Sequence, residues 1–555
     1  MVLSTQFRAQ HIEKLTTEVY DVVVIGGGIT GAGIALDAAS RGLRTVLVEK
    51  RDFASGTSSR STKLIHGGLR YLKQFEIALV REVGRERAIV HKLAPHLVVP
   101  EKMILPLVEG GTYGKLATSV GLFVYDVLAG VERPDQRVML NLEEAMEHEP
   151  LLDEEGLKGA GFYAEYRTDD ARLTVEVMKT AAQHGALCLN YVEATEFLYQ
   201  GEQITGVKVV DHLSGKELEI NSKVVVSAAG PWVDEVRKKD GDLSGKRLHL
   251  TKGVHLVVPH EKLPVKQSIY FDVPDGRMIF AIPRGEVTYI GTTDTDYHGD
   301  PNRVLTERED ADYLLEAVNA TFPSIQLQVS DVVSSWAGLR PLIHEEGKSA
   351  SQLSRKDEIF ESEGGLLSIA GGKLTGYRKM AERIVDRVKH RLEKEEGRTI
   401  PKCTTDTITL IGGNFENYGA VKSFVTALVE EAKPLGLTRA DVVYLVHNYG
   451  QQAQIILKGV QAQRSKYSAE VALGLVELEY CLEHEGVYTP LDFFNFRTGR
   501  LYFRIHTIAA LKAPVAERMA DAFGWSAAEL ASQLANLEQA IEDVAEHFKA
   551  DKAPA

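Results

Sequence analysis

The amino-acid sequence predicts an α/β (α+β) chain with a Rossmann-like nucleotide-binding domain built from separated segments, a sheet-containing second domain and a C-terminal α-helical domain. Three observations predict this fold class. Strand-like runs end in glycine turns near residues 26, 230 and 371, so separated segments contribute strands to one nucleotide-binding domain. The insertion between the second and third turns contains further strand-like runs. Helical periodicity dominates after about residue 398.

The segment from Asp21 to Lys50 reads DVVVIGGGITGAGIALDAASRGLRTVLVEK and has the order strand, glycine turn, helix, strand. Gly26 allows a tight turn, Gly28 lets the backbone approach a pyrophosphate, and Gly31 lets the helix lie close to the strand. Glu49 follows the second strand, where a carboxylate can accept hydrogen bonds from ribose hydroxyls. The segment therefore predicts a dinucleotide whose phosphates face the helix N-terminus. Its predicted elements are a strand at 22–25, a helix from 29 to about 41 and a strand at 45–48.

Two later segments repeat the junction of a strand with small residues. They read KVVVSAAG at 223–230 and LLSIAGGKLTGYR at 366–378. The intervening insertion has strand-like runs at 254–258, 278–282 and 287–291, which favour a large sheet carrying a substrate pocket. The predicted boundaries are 18–100, 165–235 and 350–397 for the nucleotide-binding domain, 101–164 and 236–349 for a substrate-binding domain, and 398–555 for the helical domain.

The last helix has the clearest helical signal. Ser526 and Glu529 form a capping box, and apolar residues then recur every three or four positions. We favour core packing within a helical bundle for this stripe, with the seam of a homodimer as the alternative. The stripe consists of Leu530, Leu534, Leu537, Ile541, Val544 and Phe548.

Composition restricts the class of protein. The chain has 555 residues and a net charge of -14, which argues against nucleic acid as a general partner. Its three cysteines are far apart in sequence, which argues against a disulfide framework and a cysteine-rich metal site, so we expect no metal and a reducing cytoplasm. We find neither the apolar region of a signal peptide nor an apolar run of about eighteen residues, and we expect no membrane-spanning helix.

Residues 56–72 read GTSSRSTKLIHGGLRYL and directly follow the second strand. Further motifs are VVVIGGGITGAGIALDAA, APHLV, TDDARL, AAGPWV, KGVHLVVP, IGTTDTDY, GLRPL and GGKLTGYRKMAE. The motifs extend over about residues 20–385. In their order along the chain they resemble those of the FAD-dependent, quinone-linked glycerol-3-phosphate dehydrogenase family, in its respiratory form. The C-terminal region resembles the family in length and character, with looser motifs.

The resemblance implies FAD, which we assume to be held without a covalent bond. The glycine motif with Glu49 does not by itself separate FAD from NAD. For the hydroxyl side chains, turn chemistry and helix capping are the alternative. The cofactor-binding residues that the resemblance implies are Gly26, Gly28, Gly31, Glu49 and Lys50, then Ser58, Ser59, Thr62 and Lys63 toward the flavin ring, and Ala229, Gly230, Gly372, Lys373, Leu374 and Thr375.

The implied substrate is sn-glycerol 3-phosphate, whose phosphate suits arginine forks. Its C2 alcohol becomes a ketone as a hydride passes to flavin N5 and a base takes the hydroxyl proton. His66 is the first candidate for that base, with a structural hydrogen-bonding role as its alternative. Arg340 and Lys373 are rival catalytic groups that stabilise a developing alkoxide, and His255 is a further candidate that we favour as structural. The substrate-binding residues implied are Arg70, Tyr71, Arg340, Arg355 and Lys373.

The family passes its electrons to a membrane quinone. We therefore expect a cytoplasmic protein that contacts the inner face of the cell membrane peripherally. Four basic residues near the helix after residue 72 are candidates for contact with anionic lipid: Arg81, Arg85, Arg87 and Lys92. The apolar stretch Leu116 to Ala129 is an interfacial candidate, although we favour a core helix there.

Three alternative functions stay open. A glycerol-3-phosphate oxidase would use O2 and give H2O2, but we see no insertion typical of such oxidases. An amine or amino-acid oxidase of the same superfold is disfavoured by the number of cations and by HGGLRY. A non-catalytic flavoprotein scaffold or redox sensor is also disfavoured, because it would give the phosphate-binding cations no role.

Overall fold

The structure is a computed structural model, and it describes residues 2–66, 77–110, 137–241, 246–344 and 357–550. Within these ranges the strands form two sheets, and a group of helices follows the second of them along the chain. This arrangement confirms the predicted fold class.

The first sheet contains the predicted nucleotide-binding strands. In it Val19–Ile25 lies parallel to and between Thr45–Val48 and Lys216–Ser227, and Leu367–Gly371 pairs in parallel with the latter. The three glycine turns therefore follow the carboxyl ends of three neighbouring strands, as predicted. The order is Asp357–Glu361, Leu367–Gly371, Lys216–Ser227, Val19–Ile25, Thr45–Val48 and Leu187–Leu189, with Val192–Gln200 and Gln203–Asp211 joined to Lys216–Ser227.

The second sheet contains the three strands predicted in the insertion. Leu64–Ile65 also pairs in this sheet although it lies inside the predicted 18–100 segment, so the chain enters the second sheet early. The domain boundaries themselves stay a prediction. The order is Thr295–Asp296, Leu248–Pro259, Val287–Gly291, Met278–Arg284, Ser268–Asp272, Val99–Val108, Leu157–Arg167 and Leu64–Ile65, with Ser334–Ile343 beside Leu248–Pro259 and Val138–Leu140 beside Leu157–Arg167.

The helices pack on both sheets and form the C-terminal region. Those before residue 398 are Arg8–Thr17, Ile29–Ser40, Ile77–Leu93, Leu142–His148, Asp170–Gln183, Val233–Lys239, Arg308–Thr321 and Tyr377–Glu396. Those that follow are Tyr418–Ala432, Arg439–Tyr449, Ala453–Gln463, Ala469–His484, Arg500–Phe503, Ile508–Phe523 and Ala527–Ala545, with a π-helical turn at Asp492–Arg497.

The helix Ile29–Ser40 is almost entirely buried, because it packs between the first sheet and the helices Asp170–Gln183 and Tyr377–Glu396. Its small residues permit this close packing. Arg41 is its C-cap residue, and the φ angle of Gly42 is 82°, in the left-handed region that glycine tolerates. The helix thus ends within one residue of its predicted end.

The last helix begins as predicted, because Ser526 and Glu529 form the capping box. The later part of its apolar stripe lies in a core, and the partners there extend beyond a helical bundle. Leu537 is fully buried in a cluster with Trp336 of the second sheet and with Met519 of the preceding helix. The stripe therefore attaches the helical region to the second sheet.

A buried ion-pair network joins the first sheet's helix Asp170–Gln183 to the C-terminal helices. Arg172 donates to both oxygens of Glu485 at 2.7 and 2.9 Å, and Lys179 donates to Glu485 at 2.9 Å. Both cations also pair with Glu176. Burial opposes ionisation of Glu485, but Arg172 and Lys179 outweigh it and hold its pKa below the ordinary value.

We expect Glu485→Gln to lower the free energy of unfolding by about 3 kcal/mol, because two buried cations then share one carboxylate. The urea midpoint of the FAD-loaded protein measures the change. Glu196→Gln is the control, since Glu196 forms an exposed pair with Lys208 at 3.0 Å and such pairs contribute little. Equal midpoints for the two variants would show that the buried network does not stabilise the fold.

The basic helix Ile77–Leu93 corrects one prediction. Arg87 does not face outward, because its guanidinium is buried and donates to Glu165 at 2.8 Å and to the Ala164 carbonyl at 3.1 Å. Arg81, Arg85 and Lys92 are exposed. Among the residues that the structure covers, no helix has both the length and the apolar character needed to cross a bilayer. Leu116 to Ala129 lie outside the described residues.

Candidate active site

One large pocket lies between the two sheets, at the carboxyl ends of the first sheet's parallel strands. This is the usual ligand position in open α/β sheets. The glycine turns at 26–28, 228–230 and 371–373 form one side, and the chain at 55–62 lies beside them. Residues of the second sheet close the other side: Gly253, His255, Gly338, Leu339, Arg340, Pro341 and Leu342.

The glycines of the first turn allow other groups to approach the backbone closely. The φ angle of Gly26 is 113°, and a Cβ there would lie 2.6 Å from the Ala228 carbonyl oxygen. A Cβ at Gly31 would collide with the Gly26 carbonyl, and one at Gly28 would lie 3.0 Å from Ser58 Oγ. Glycine therefore leaves an open cradle at the start of helix Ile29–Ser40.

Ser58 and Glu49 hold this turn in place. The Ile29 N–H donates to Ser58 Oγ at 2.9 Å. The two Glu49 oxygens accept from the Gly27 N–H at 2.7 Å and the Arg51 N–H at 2.9 Å. Burial raises the pKa of Glu49 despite these hydrogen bonds. Each oxygen has a second lone pair for a ligand hydroxyl, so the ribose role of Glu49 stays a prediction that the geometry permits.

Lys50 lines the same pocket beside a residue that sequence reasoning missed. Its ammonium lies 4.4 Å from the centre of the Trp232 ring and donates to Asn302 Oδ1 at 3.3 Å. Trp232 belongs to the AAGPWV motif, and its indole N–H donates to the same Asn302 oxygen at 3.2 Å. The sequence signal that could have identified Trp232 is an aromatic residue directly after the strand–glycine junction at 223–230.

Ser59 and Lys63 are not among the residues that line the pocket, so their cofactor roles stay a prediction. Ser59 is buried, and its hydroxyl donates to the Gly56 carbonyl at 3.3 Å. The Lys63 ammonium is buried in an ion pair with Asp170 and donates to the Ser59 carbonyl at 2.9 Å. Thr62, between them in the predicted set, does line the pocket.

The other two junctions line the pocket as predicted. Ala229 and Gly230 follow the strand Lys216–Ser227, and Gly372 to Thr375 follow Leu367–Gly371. The φ angle of Gly372 is 76°, and a Cβ there would collide with the Met380 thioether. Glycine is therefore needed at this turn.

His66 and Lys373 meet in the pocket although 307 positions separate them in sequence. The Lys373 ammonium lies 3.5 Å from His66 Nε2, and the Thr375 hydroxyl donates to the His66 carbonyl at 3.2 Å. An ammonium has only donors, so the facing Nε2 carries its lone pair and His66 Nδ1 carries the proton, 3.5 Å from the Leu64 carbonyl. This tautomer is assigned from the hydrogen-bond network.

Arg340 lines the pocket from the second sheet. Its guanidinium donates to Thr292 Oγ1 at 2.9 Å, and to the Thr293 carbonyl and Asp294 at 3.2 Å each. A Cβ at Gly253, on the neighbouring strand, would collide with this guanidinium. Gly253 was not predicted as a site residue, but a glycine inside a strand signals close approach.

His255 also lines the pocket, between Thr62 and the indole of Trp336. Its Nε2 lies 3.0 Å from Thr62 Oγ1, and its ring stacks on Trp336 with centroids 4.8 Å apart. Its Nδ1 has no hydrogen-bond partner among the described residues. Burial, reinforced by Arg340, lowers the pKa of His255 well below its ordinary value, so the imidazole is neutral. Both structural and basic roles therefore stay open for it.

Three predicted substrate residues lie outside the described residues: Arg70, Tyr71 and Arg355. Their roles stay predictions. The pocket brings together Arg340, Lys373 and His66 in the part of the chain that the structure describes.

The residues present fit an FAD molecule. The open glycine cradle at the helix Ile29–Ser40 suits a pyrophosphate, since the helix N-terminus attracts anions. Glu49 offers carboxylate oxygens for a ribose, and Gly372 lines the pocket together with His66 and Lys373. A long cofactor with an anionic middle thus finds complementary groups along the pocket.

Comparisons with known proteins show the family of the chain. Residues 21–378 match the family model described as FAD dependent oxidoreductase, and residues 403–530 match the C-terminal domain of alpha-glycerophosphate oxidase. The aerobic glycerol-3-phosphate dehydrogenase of Staphylococcus aureus is 50% identical over 549 residues, 98% of each chain. That of Bacillus subtilis is 49% identical over 539 residues, 97% of each chain.

A solved structure shares the whole fold. The glycerol-3-phosphate dehydrogenase from Bacillus halodurans, complexed with FAD, superimposes with a TM-score of 0.84 and 43% identity, covering 99% of this chain and 100% of that one. Together with the glycine cradle and the complementary pocket, these matches identify the cofactor as FAD. The chain belongs to the FAD-dependent oxidoreductases and, among them, to the aerobic glycerol-3-phosphate dehydrogenases.

Proposed function

We propose that this protein oxidises sn-glycerol 3-phosphate to dihydroxyacetone phosphate and passes the electrons to a membrane quinone. The observation that carries the proposal is that one pocket is lined by Arg340 and by the contacting pair of Lys373 and His66. Two cations suit a phosphorylated substrate, and a histidine suits proton removal. The names of the relatives support the substrate.

Each group has a distinct role in the proposed reaction. Arg340, fixed by Thr292 and Asp294, binds the substrate phosphate. His66 Nε2 takes the proton from the C2 hydroxyl, and the adjacent Lys373 ammonium stabilises the negative charge that develops on that oxygen. FAD bound in the pocket supplies the acceptor, at flavin N5, for the hydride from C2. His255 is the rival for the proton, because its neutral ring also lines the pocket.

Anaerobic mixing of the FAD-loaded protein with sn-glycerol 3-phosphate tests the substrate. We expect the visible flavin band to bleach, and to return with a quinone analogue but only slowly with air. Fast return in air with formation of H2O2 would instead support the oxidase alternative. A band that does not bleach would overturn the substrate and reopen the amine-oxidase and sensor alternatives.

We also propose that the protein is cytoplasmic and contacts the inner face of the cell membrane peripherally. The exposed cations Arg81, Arg85 and Lys92 of helix Ile77–Leu93 support this contact. Each cation near an anionic surface contributes about 1 kcal/mol. A helical surface with three such groups therefore favours anionic lipid headgroups.

Changing Arg81, Arg85 and Lys92 together to glutamine is expected to weaken binding to phosphatidylglycerol vesicles by roughly 10²-fold. Vesicle co-sedimentation measures binding, and turnover with a soluble quinone analogue should stay unchanged. A variant with the same loss of charge elsewhere is the control, made at the exposed residues Lys433, Arg439 and Lys466. Equal loss in both variants would show that net charge, not this helix, directs the contact.

A further inference from the structure

A second cavity, of about 270 Å3, lies where both sheets meet the C-terminal helices. We call it the junction cavity. It is separate from the FAD pocket but adjoins it, because Ser55 and Arg60 line both. The polar residues of its wall include Arg51, Arg60, Thr306 and Asn495.

Three polar atoms on the wall of the junction cavity have no hydrogen-bond partner among the described residues: Arg51 Nε, Thr306 Oγ1 and Asn495 Oδ1. Thr306 is only 2% exposed and Asn495 only 6%. Asn495 lies in the π-helical turn Asp492–Arg497, an irregularity that frequently occurs at functional sites. Buried polar groups in native proteins nearly always have partners, so these atoms indicate a polar occupant.

The wall also carries two arginines whose guanidinium groups form no ion pair with another residue of the wall. Neither Arg51 nor Arg60 forms an ion pair with a carboxylate in the described part of the chain, and the Arg51 guanidinium has only the Asn302 carbonyl, at 3.4 Å, and the Trp232 ring as partners. Burial and the proximity of Arg60 lower the pKa of Arg51. The two cations therefore repel each other, and a bound anion would relieve the repulsion.

The acidic residues of the same wall are already paired. Asp52 accepts from Arg497 at 2.6 and 2.9 Å, and Asp543 accepts from Arg303 at 3.1 Å. Asp492 accepts from the Tyr191 hydroxyl at 2.6 Å and from two backbone N–H groups. Burial, with Asp52 nearby, raises the pKa of Asp492, which further weakens the negative charge. Glu49 and Asp300 also attract Arg51, but neither lines the cavity, so the charge that its own wall leaves unpaired is positive.

We propose that the junction cavity is a second ligand site, distinct from the FAD pocket, for a small hydroxylated organic anion of the polyol-phosphate class. Arg51 and Arg60 bind the anionic oxygens, because guanidinium donors match phosphate. Asn495 Oδ1 accepts from a ligand hydroxyl, and the Thr306 hydroxyl bonds either group. Water alone fills the volume but leaves the two facing cations without neutralisation.

Isothermal titration of the FAD-loaded protein with glycerol 2-phosphate, in phosphate-free buffer, tests the proposal. In glycerol 2-phosphate the C2 oxygen carries the phosphate. The probe therefore has no free C2 hydroxyl and cannot undergo the proposed oxidation. We expect a binding event, beside any binding of the probe in the FAD pocket, that Arg51→Gln removes and that Arg439→Gln, the same charge change at an exposed position, leaves intact. This difference does not depend on whether the active pocket also binds the probe.

A second variant separates the two kinds of recognition. Asn495→Leu should weaken glycerol 2-phosphate at this site by roughly 10-fold, as expected for one lost hydrogen bond in a buried site, while binding of inorganic phosphate stays the same. Identical isotherms for wild type and Arg51→Gln would mean that the cavity holds only water. Loss of bound FAD from Arg51→Gln, seen in the visible spectrum, would assign Arg51 to the cofactor. Either result overturns the proposal.

Discussion

Arg340→Ala is expected to lower kcat/KM for sn-glycerol 3-phosphate by roughly 10²-fold, mainly through KM, while FAD stays bound. The guanidinium is held by Thr292 Oγ1 at 2.9 Å and by Asp294 at 3.2 Å, so it is positioned before substrate arrives. Its loss removes a charge-assisted contact and leaves Asp294 facing the substrate phosphate. Steady-state kinetics with a quinone analogue measure the effect, and flavin absorbance reports cofactor content.

Two further variants sharpen this test. Arg340→Lys keeps the charge but not the planar fork, so partial recovery would indicate bidentate binding. Gly253→Ala places a Cβ where the guanidinium lies, so it should raise KM without removing the arginine. A KM for Arg340→Ala like that of the wild type would exclude Arg340 from the phosphate site.

The local pattern of the sequence was enough to predict the nucleotide-binding elements. The strand Thr45–Val48 has the predicted bounds, and the preceding helix ends one residue before its predicted last residue. Glycine spacing and apolar runs act over a few neighbouring residues, which explains this accuracy. Because three parallel strands end in glycine turns at the same edge of the sheet, the position of the pocket could also be predicted from the sequence.

Side-chain placement depended on partners distant in sequence. Lys63 and Arg87 both lie in polar stretches that predict exposure or ligand contact. Their buried carboxylate partners, Asp170 and Glu165, are 107 and 78 positions away. No local pattern encodes those pairs. The same holds for the junction cavity, whose wall combines residues from both sheets and the C-terminal helices.

The same dependence on partners distant in sequence explains why the sequence led to different predictions for the two histidines of the pocket. His66 stands in a polar, glycine-rich segment, which predicted a ligand contact, whereas His255 stands in an apolar strand, which favoured a structural role. The structure brings both to one pocket, and only long-range packing does so. The alternation of apolar and polar residues along a strand does not show where the neighbouring strand leaves space for a ligand.

His66→Ala is expected to slow anaerobic flavin reduction by roughly 10²-fold or more at saturating substrate, as for other lost general bases. In the wild type the reduction rate should rise with pH as the base loses its proton, and His66→Ala should lose that dependence. The Lys373 ammonium, 3.5 Å from Nε2, should remain to stabilise the alkoxide. Stopped-flow absorbance of the flavin band measures the rate.

His255→Ala is the matched comparison, because it removes an imidazole from the same pocket. If His255 only supports Thr62 and Trp336, to which it is joined at 3.0 Å and by ring stacking, the reduction rate should fall only a few-fold and keep its pH dependence. The reverse ordering, with a large loss for His255→Ala and a near-normal rate for His66→Ala, would move the base to His255. Burial and Arg340 keep that ring neutral, so its lone pair is free, but they also disfavour its protonated form.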